Sequence, residues 1–303
     1  MQLSIVAHIL VAVALPPLLP GIIARTKAAF AGRQGPPVLQ LYCDLAKQIR
    51  KGTVLSGTTT WVFFAGPVIA VTAGLIASVL VPFGGASAPV SFTGDVVFFT
   101  YLFALSRFFV ASSALDTGSA FEGMGAAREV SFAALAEPAL FLGFLVGMRL
   151  TGSFSLSGML SKPWAGGRFE AGASLVLVLV SWFIVLLAEN CRIPVDDPNT
   201  HLELTMIHEA MVLDHSGPLF GLVLYGAALK LMVFGALLVR LVLPIAQAGP
   251  VLSWVAFCAT IIGLAVVIGA IESIIARLRL VRVPMLLVTA CLLSAFALIL
   301  LFR

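Results

Sequence analysis

Charge is scarce in this 303-residue chain. Asp, Glu, Lys and Arg make up 11% of it, whereas 60% of the residues are hydrophobic. Because soluble domains carry about a quarter charged residues, this composition excludes a soluble enzyme, a nucleic-acid-binding protein and a disordered protein. The remaining class is a membrane protein that crosses the bilayer several times.

Other common signals are absent as well. The four cysteines, Cys43, Cys191, Cys258 and Cys291, lie far apart and form no C-x-x-C pair. Iron–sulfur clusters need several cysteine ligands, so we predict that this chain binds none and carries no cofactor of its own. No glycine-rich phosphate loop follows a strand, and we expect no catalysis by this chain alone. Ten-residue segments of alternating hydrophobicity are missing, which excludes an outer-membrane barrel.

Long apolar runs dominate what is present. A transmembrane helix needs about 20 apolar residues, and eight stretches qualify. The first run lacks a preceding basic segment and has its basic residues after it, so we interpret it as a retained helix and not a signal peptide. The sequence predicts an all-α polytopic membrane protein with a single membrane domain, 1–303. The predicted spans are 3–24, 61–82, 95–115, 132–151, 172–190, 217–243, 250–271 and 284–302.

The distribution of Lys and Arg predicts the orientation. Eleven of the 18 lie in the loops 25–60, 116–131, 191–216 and 272–283, and five lie at the opposite ends of the spans. By the positive-inside rule, these four loops face the cytoplasm and both termini lie outside. Twelve of the 14 acids fall on or near the same side. The positive-inside rule does not explain this clustering of acids, because Asp and Glu contribute little to the orientation of a membrane protein.

The first inner loop predicts an amphipathic helix on the membrane surface. After the turn at Gly35-Pro36-Pro37, apolar residues recur at helical spacing up to Ile49, with polar residues on the other face. Two interpretations stay open: a basic collar that only sets topology, or a docking surface for a soluble partner. The docking candidates here and in later loops are Arg25, Lys27, Arg33, Asp44, Lys47, Arg50, Lys51, Glu122, Arg128 and Arg192.

A second set of polar residues lies within the spans and in the loop 191–216. Charges inside a bilayer cost about 2.5–3.5 kcal/mol or more, so Arg107 and Lys230 should face the bundle interior. Carboxylates and imidazoles at a membrane edge can pass protons, although buried ion pairs and partner docking are equally open interpretations. The candidates for a proton or ion path are Arg107, Glu137, Glu189, Asp196, Asp197, His201, Glu203, His208, Glu209, Asp214, Lys230 and Glu272. Because His201-x-Glu203 and His208-Glu209 do not reproduce the H-E-x-x-H pair, we predict no metal site.

Two loops carry a family resemblance. The first contains Arg33-x-Gly35-Pro36, then Leu39-Gln40 and Asp44-x-x-Lys47. The second contains Glu189-x-x-Arg192-x-Pro194-x-Asp196-x-Pro198, then Glu203-Leu204 and Ser216-Gly217. Both resemble the cytoplasmic loops of the respiratory complex I subunit 1 family. That family includes the membrane anchors of energy-converting [NiFe]-hydrogenases and formate hydrogenlyases. Asn199-Thr200-His201 stands where the complex I branch is richer in glutamate, which favours the hydrogenase branch.

The resemblance implies a function that the residues alone do not. It implies a membrane-anchor and proton-coupling subunit in a bacterial or archaeal inner membrane. Its expected partners are a [NiFe] large subunit, a small subunit with [4Fe-4S] centres and antiporter-like membrane subunits, besides lipid. One alternative is the quinone-site subunit of a complex I-like dehydrogenase. Another is a stand-alone secondary transporter, which the lack of inverted repeats and broken helices disfavours.

Overall fold

The protein is built from helices. The computed structural model describes residues 2–85, 87–161, 169–196, 206–243 and 249–302. Within these ranges the regular structure is α-helical, with one 3-10 turn at Leu280–Arg282, which confirms the predicted fold class. The helices are α1 (Gln2–Ala14), α2 (Leu18–Phe30), α3 (Gln40–Ile49), α4 (Trp61–Leu80), α5 (Asp95–Asp116), α6 (Ala120–Thr151), α7 (Leu156–Ser161), α8 (Phe169–Glu189), α9 (His208–Met211), α10 (Gly217–Val242), α11 (Pro250–Ile274) and α12 (Val283–Leu300).

The first predicted span is not a continuous helix. In the described ranges, seven helices are long and apolar enough to cross a membrane, and the pair α1 and α2 makes an eighth span that is bent by 50°. The bend follows from Pro16 and Pro17, which lack the N–H that a continuous helix needs. The expectation that broken helices are absent is therefore wrong for this span, although eight crossings agree with the predicted number.

The predicted inner loop 116–131 is also mostly helical. Helix α6 begins at Ala120 and runs for 32 residues, so only a short turn containing Gly118, at φ 73°, separates it from α5. Hydropathy detects only the apolar part of a helix, and the residues before Phe132 include Glu122, Arg128 and Glu129, which are good helix formers. The remaining long helices begin and end within three residues of the predicted spans.

Helix α3 is the predicted amphipathic surface helix. It packs against α2 and α10. Its Leu41 and Leu45 are half-buried on the bundle side, while Lys47 and Ile49 are exposed. Gly221, one turn inside α10, leaves only 3.3 Å between its Cβ position and Cβ of Gln48. The helix therefore lies against α2 and the first turns of α10, as an amphipathic helix at the end of a bundle does.

Helix α10 is the central helix of the bundle. Of its most apolar stretch, 72% is buried inside the protein, against 28–50% for the other long helices. It contacts α4, α8, α3 and α11. A polar residue in the middle of α10 therefore faces protein and not lipid, and this arrangement determines the surroundings of Lys230.

The four predicted inner loops gather at one end of the bundle, called here the loop end. The Val54 amide donates to Ser216 Oγ at 2.9 Å, and the Leu278 amide donates to the Pro194 carbonyl at 3.1 Å. At the opposite end, the Gly94 amide donates to the Phe154 carbonyl at 3.0 Å. Which end faces the cytoplasm stays a prediction.

Candidate functional site

Four charged side chains form a network inside the bundle. Glu189, the last residue of α8, accepts a hydrogen bond at 2.8 Å from Nη2 of Arg107 on α5. Its second oxygen lies 2.7 Å from Nζ of Lys230 on α10. Arg107 Nη1 also donates to Glu137 on α6. Four helices thus bring together four residues that the sequence predicted as path candidates without being able to pair them.

The network runs from the interior to the flank of the bundle. The side chains of Glu189 and Arg107 are 5% and 10% exposed, whereas Glu137 is 34% exposed. Arg107 is therefore a bridge between a buried carboxylate and a carboxylate at the edge of the bundle. Each charge has an opposite charge in contact, as buried ions require.

A cavity with a mostly apolar wall and several polar groups adjoins the network on the side of the loop end. It has a volume of about 80 Å³, which is room for several water molecules. An adjoining groove of about 370 Å³ shares His208 and His215 with it. Besides Arg107 and Glu189, the polar groups lining the cavity include Glu129, Cys191, His208, His215 and Lys230.

The two histidines between cavity and groove are held neutral. Burial lowers the pKa of His208, and burial lowers that of His215 to about 4. The His215 ring stacks on Phe63 at 4.1 Å between centroids, and its Nε2 lies 3.3 Å from Ser113 Oγ. A neutral imidazole can accept a proton at one nitrogen and release one from the other, so these side chains can pass protons without storing charge.

Cys191 lies on the same cavity wall. It lies two residues after the end of α8, at φ 47°, in the left-handed region that side chains rarely adopt. Its Sγ donates to Glu129 Oε2 at 3.5 Å. Burial, with the Glu129 charge as a smaller contribution, raises the thiol pKa well above its ordinary value. The thiol therefore stays protonated and acts as a hydrogen-bond donor to Glu129.

The depressed pKa of His215 predicts a pH dependence of stability. The unfolded chain binds a proton near pH 6.5 and the folded protein only near pH 4, so acid favours unfolding in this window. Between pH 7.5 and pH 5 this group should lower the free energy of unfolding by about 2 kcal/mol. Thermal unfolding in detergent at both pH values checks this, because a His215→Gln variant should lose less stability on acidification. Equal losses in both proteins would contradict the prediction.

Several predicted path residues instead tie the loops together. Glu272, at the end of α11, lies 2.8 Å from Lys27 Nζ and 3.6 Å from Arg192 Nη1. Asp196 accepts the amide of Ile207 at 3.0 Å and lies 3.8 Å from Arg277 Nη2. These carboxylates stabilise the loop end, apart from the network around Glu189.

The docking candidates divide into buried and exposed groups. Glu122 is 0% exposed and accepts hydrogen bonds from the Asp214 amide, at 3.0 Å, and from Thr117. The prediction of Glu122 as a docking residue is wrong, because its buried carboxylate accepts hydrogen bonds from the segment before α10. Arg128 donates to the Met206 carbonyl at 3.0 Å, and Lys27 and Arg192 are engaged by Glu272. The other docking candidates are accessible to a partner. Five are exposed and Asp44 is half-buried; the exposed ones are Arg25, Arg33, Lys47, Arg50 and Lys51.

The remaining candidates lie around the groove or outside the described ranges. Glu209 is half-buried and lines the groove. Asp197, His201 and Glu203 lie outside the residues that the structure describes. In the part of the chain that it does describe, no three His, Cys, Asp or Glu side chains are grouped so as to hold a metal ion.

The sequence analysis missed three residues of the cavity wall: Glu129, Cys191 and His215. Glu129 precedes Glu137 by eight residues, a little over two helical turns, which brings both to a similar face of one helix. That signal was hidden because 116–131 was interpreted as a loop. His215 directly precedes Ser216-Gly217, which the family motif already contained.

Comparisons with known proteins agree with this architecture. Formate hydrogenlyase subunit 4 of Escherichia coli (strain K12) is 32% identical over 281 residues, 91% of this chain and 90% of that protein. Hydrogenase-4 component C of the same organism is 32% identical over 80% of this chain and 75% of its own length. A subunit of the NADH-quinone oxidoreductase of Syntrophotalea carbinolica (strain DSM 2380 / NBRC 103641 / GraBd1) is 29% identical over 80% of this chain and 74% of its own length.

A solved structure shares the fold. A chain of the membrane-bound sulfane sulfur reductase, an archaeal respiratory membrane complex, superimposes with a TM-score of 0.81 over 98% of this chain and 99% of its own length, at 20% identity. The sequence profile of the family described as NADH dehydrogenase matches residues 2–303. These matches confirm the resemblance found in the two loops: the chain is a multi-pass membrane protein that belongs to the NADH dehydrogenase family and is similar to the membrane subunits of hydrogenase-type complexes.

Proposed function

We propose that this chain is the membrane-anchor and proton-coupling subunit of a hydrogenase-type complex. In this role it docks a soluble module with [NiFe] and iron–sulfur centres at the loop end and relays protons to antiporter-like membrane subunits. The single observation that carries the proposal is the series of titratable groups that extends from the groove through the cavity to Lys230 and Glu189, with Glu137 at the flank of the bundle on the other side of Arg107.

The order of groups along this series supports a relay. His208 and His215 lie where the groove meets the cavity, and Glu129 and Cys191 line the cavity. Lys230 reaches Glu189 at 2.7 Å, and Arg107 joins Glu189 to Glu137. Water in the cavity would connect side chains that do not touch one another. Arg107 keeps its charge, so it regulates the two carboxylates electrostatically and carries no proton itself.

The exposed surface at the loop end supports the anchoring role. Arg25, Arg33 and Lys47 are exposed on or just after α2 and α3, in a region where α3 provides a rigid element. A soluble protein with an acidic surface would be attracted to these cations. Copurification tests the assignment: nickel together with iron–sulfur protein is the expected result, and a lone oligomer would contradict it.

A quinone-site role is the second candidate. The groove of about 370 Å³ is within the size range of small-molecule pockets, and Phe220, Val223 and Leu224 give it an apolar wall next to His208. The relative that is named as part of an NADH-quinone oxidoreductase is 29% identical. Quinone-reductase activity of the purified complex, lost on Val223→Trp, would favour this function over the first.

Lys230→Met tests the relay directly. Methionine keeps the length of the side chain but removes the charge next to Glu189, while Arg107 still compensates that carboxylate. In inverted vesicles that contain the assembled complex, we expect redox turnover to persist and redox-driven proton uptake to fall at least about tenfold.

Two control variants test whether the effect depends on the charge at this position and whether the loss of any cation would produce it. Lys230→Arg keeps a cation at the site but cannot release a proton, and it should also impair uptake. Arg149→Met removes an exposed cation elsewhere in the chain and should change neither rate. Undiminished proton uptake in an assembled Lys230→Met complex would contradict the proposed relay.

A further inference from the structure

The break in the first span removes the helical donors of consecutive carbonyl groups, among them those of Val13 and Ala14. In a continuous helix the Val13 carbonyl would accept from residue 17, but Pro17 has no N–H. The Ala14 carbonyl would accept from Leu18, whose amide instead donates to Leu15 at 3.0 Å. A carbonyl without a partner is costly inside a bilayer, so both oxygens need donors from other parts of the protein.

Two tyrosines supply those donors from two different helices. The hydroxyl of Tyr42, on the surface helix α3, donates to the Ala14 carbonyl. The hydroxyl of Tyr225, on the central helix α10, donates to the Val13 carbonyl at 3.0 Å. The chain has three tyrosines, and two of them thus converge on adjacent peptide groups of one hinge. The third, Tyr101 on α5, is 65% exposed.

Apolar packing also holds this hinge, because Pro16 and Pro17 are buried and Ala12 and Leu19 belong to the hydrophobic core. One side of α1 is open, with Val6, Ile9 and Leu10 between 51% and 62% exposed. Further along α1 from the hinge, His8 Nε2 lies 2.9 Å from the Ser78 carbonyl, and its ring stacks on Phe83. Helix α1 is therefore held at that point and by packing at the hinge, where the two tyrosines add hydrogen bonds to the exposed side of the break.

We propose that Tyr42 and Tyr225 are positioning residues that connect the surface helix α3 to the proton path through the hinge of the first span. Tyr225 precedes Lys230 by five residues on the same rigid helix, so the hydroxyl that fixes the hinge also fixes the register of Lys230 against Glu189. A partner protein bound on α3 moves Tyr42, the hinge and then α10. The inference rests on the proposed function, because it assumes that Lys230 belongs to the path.

The first experiment measures the hinge alone. Spin labels are attached to the native Cys43 on α3, which is exposed, and to Leu10→Cys on α1, with the other three cysteines changed to serine. Each tyrosine-to-phenylalanine change should raise the population of an alternative α1–α3 distance about threefold, the usual effect of one hydrogen bond in a membrane. The double variant Tyr42→Phe/Tyr225→Phe should raise it about tenfold if the two bonds are independent.

Tyr101→Phe is the matched control and should leave the distance distribution unchanged. The phenylalanine variants keep the aromatic ring, and each single variant can be measured if the double variant assembles poorly. A single unchanged distance in both Tyr42→Phe and Tyr225→Phe would overturn the proposal, whatever the function of the protein.

The second experiment measures coupling in vesicles with the whole complex. We expect the double phenylalanine variant to keep its redox turnover but to lower the number of protons taken up per electron at least about twofold. A purely structural role would lower both rates together, and that result would overturn the positioning role. If Lys230→Met leaves proton uptake intact, the proposed function fails, while the spin-label distances still decide whether the tyrosines hold the hinge.

Discussion

Replacement of Glu189 by glutamine is expected to destabilise the bundle by about 3–5 kcal/mol, the usual cost of breaking a buried ion pair from one side. Its carboxylate is the only acid that the structure places against Lys230 among the described residues, and it also contacts Arg107. Arg107 retains Glu137, but the Lys230 ammonium would be left without a counter-charge. Yield of the protein and its thermal midpoint in detergent measure the effect.

A second substitution should reverse most of this loss. In Glu189→Gln/Lys230→Met the unpaired ammonium is gone, so the double variant should be several kcal/mol more stable than Glu189→Gln alone. Asp44→Asn, which changes an acid on the surface helix, should alter stability by less than about 0.5 kcal/mol. If Glu189→Gln is as stable as the native protein, or if the double variant gains nothing, the ion pair does not have this role.

The architecture could be predicted from the sequence because bilayer thickness imposes a length on every span. Apolar runs of that length predicted seven of the spans, and the turn before Val38 together with helical spacing predicted α3. The prediction failed at Ala120 and at Pro16-Pro17. At Ala120 the helix continues through polar residues that hydropathy does not register. At the prolines the apolar run continues although the hydrogen bonding does not, and hydropathy carries no information on backbone donors.

The members of the charge network could also be predicted, but not their pairing. Arg107, Glu137, Glu189 and Lys230 are conspicuous because charge is so rare in apolar runs. Which acid contacts which cation depends on the rotation of four helices, and no local pattern encodes that rotation. From the sequence, Glu272 was an equally good partner for Arg107 or Lys230. The structure instead pairs Glu272 with Lys27 and Arg192 at the loop end. The hinge contacts of Tyr42 and Tyr225 depend on the same tertiary information.

Gly21 is a second position whose importance only the fold reveals. It is the fourth residue of α2, and a Cβ atom there would be 1.9 Å from the carbonyl oxygen of Val38 and 2.8 Å from its carbonyl carbon. Gly35, in the same loop, approaches α2 again beside Ala28. The loop before α3 thus crosses α2 with backbone against backbone, and the obstructing atoms cannot rotate away as the end of a side chain could.

Gly21→Ala should therefore destabilise the protein by about 3 kcal/mol, at the upper end of the cost of overpacking. Gly263, in α11, is the matched control, because a Cβ atom there meets nothing within 4 Å. Gly263→Ala should stabilise the protein by about 0.5–1 kcal/mol, as alanine does in a helix interior. Because Val38 leads directly into α3, Gly21→Ala should also displace Tyr42 from the hinge and lengthen the distance between labels at Cys43 and Leu10→Cys. Equal thermal midpoints for the two alanine variants would mean that the loop does not pack on α2 in this way.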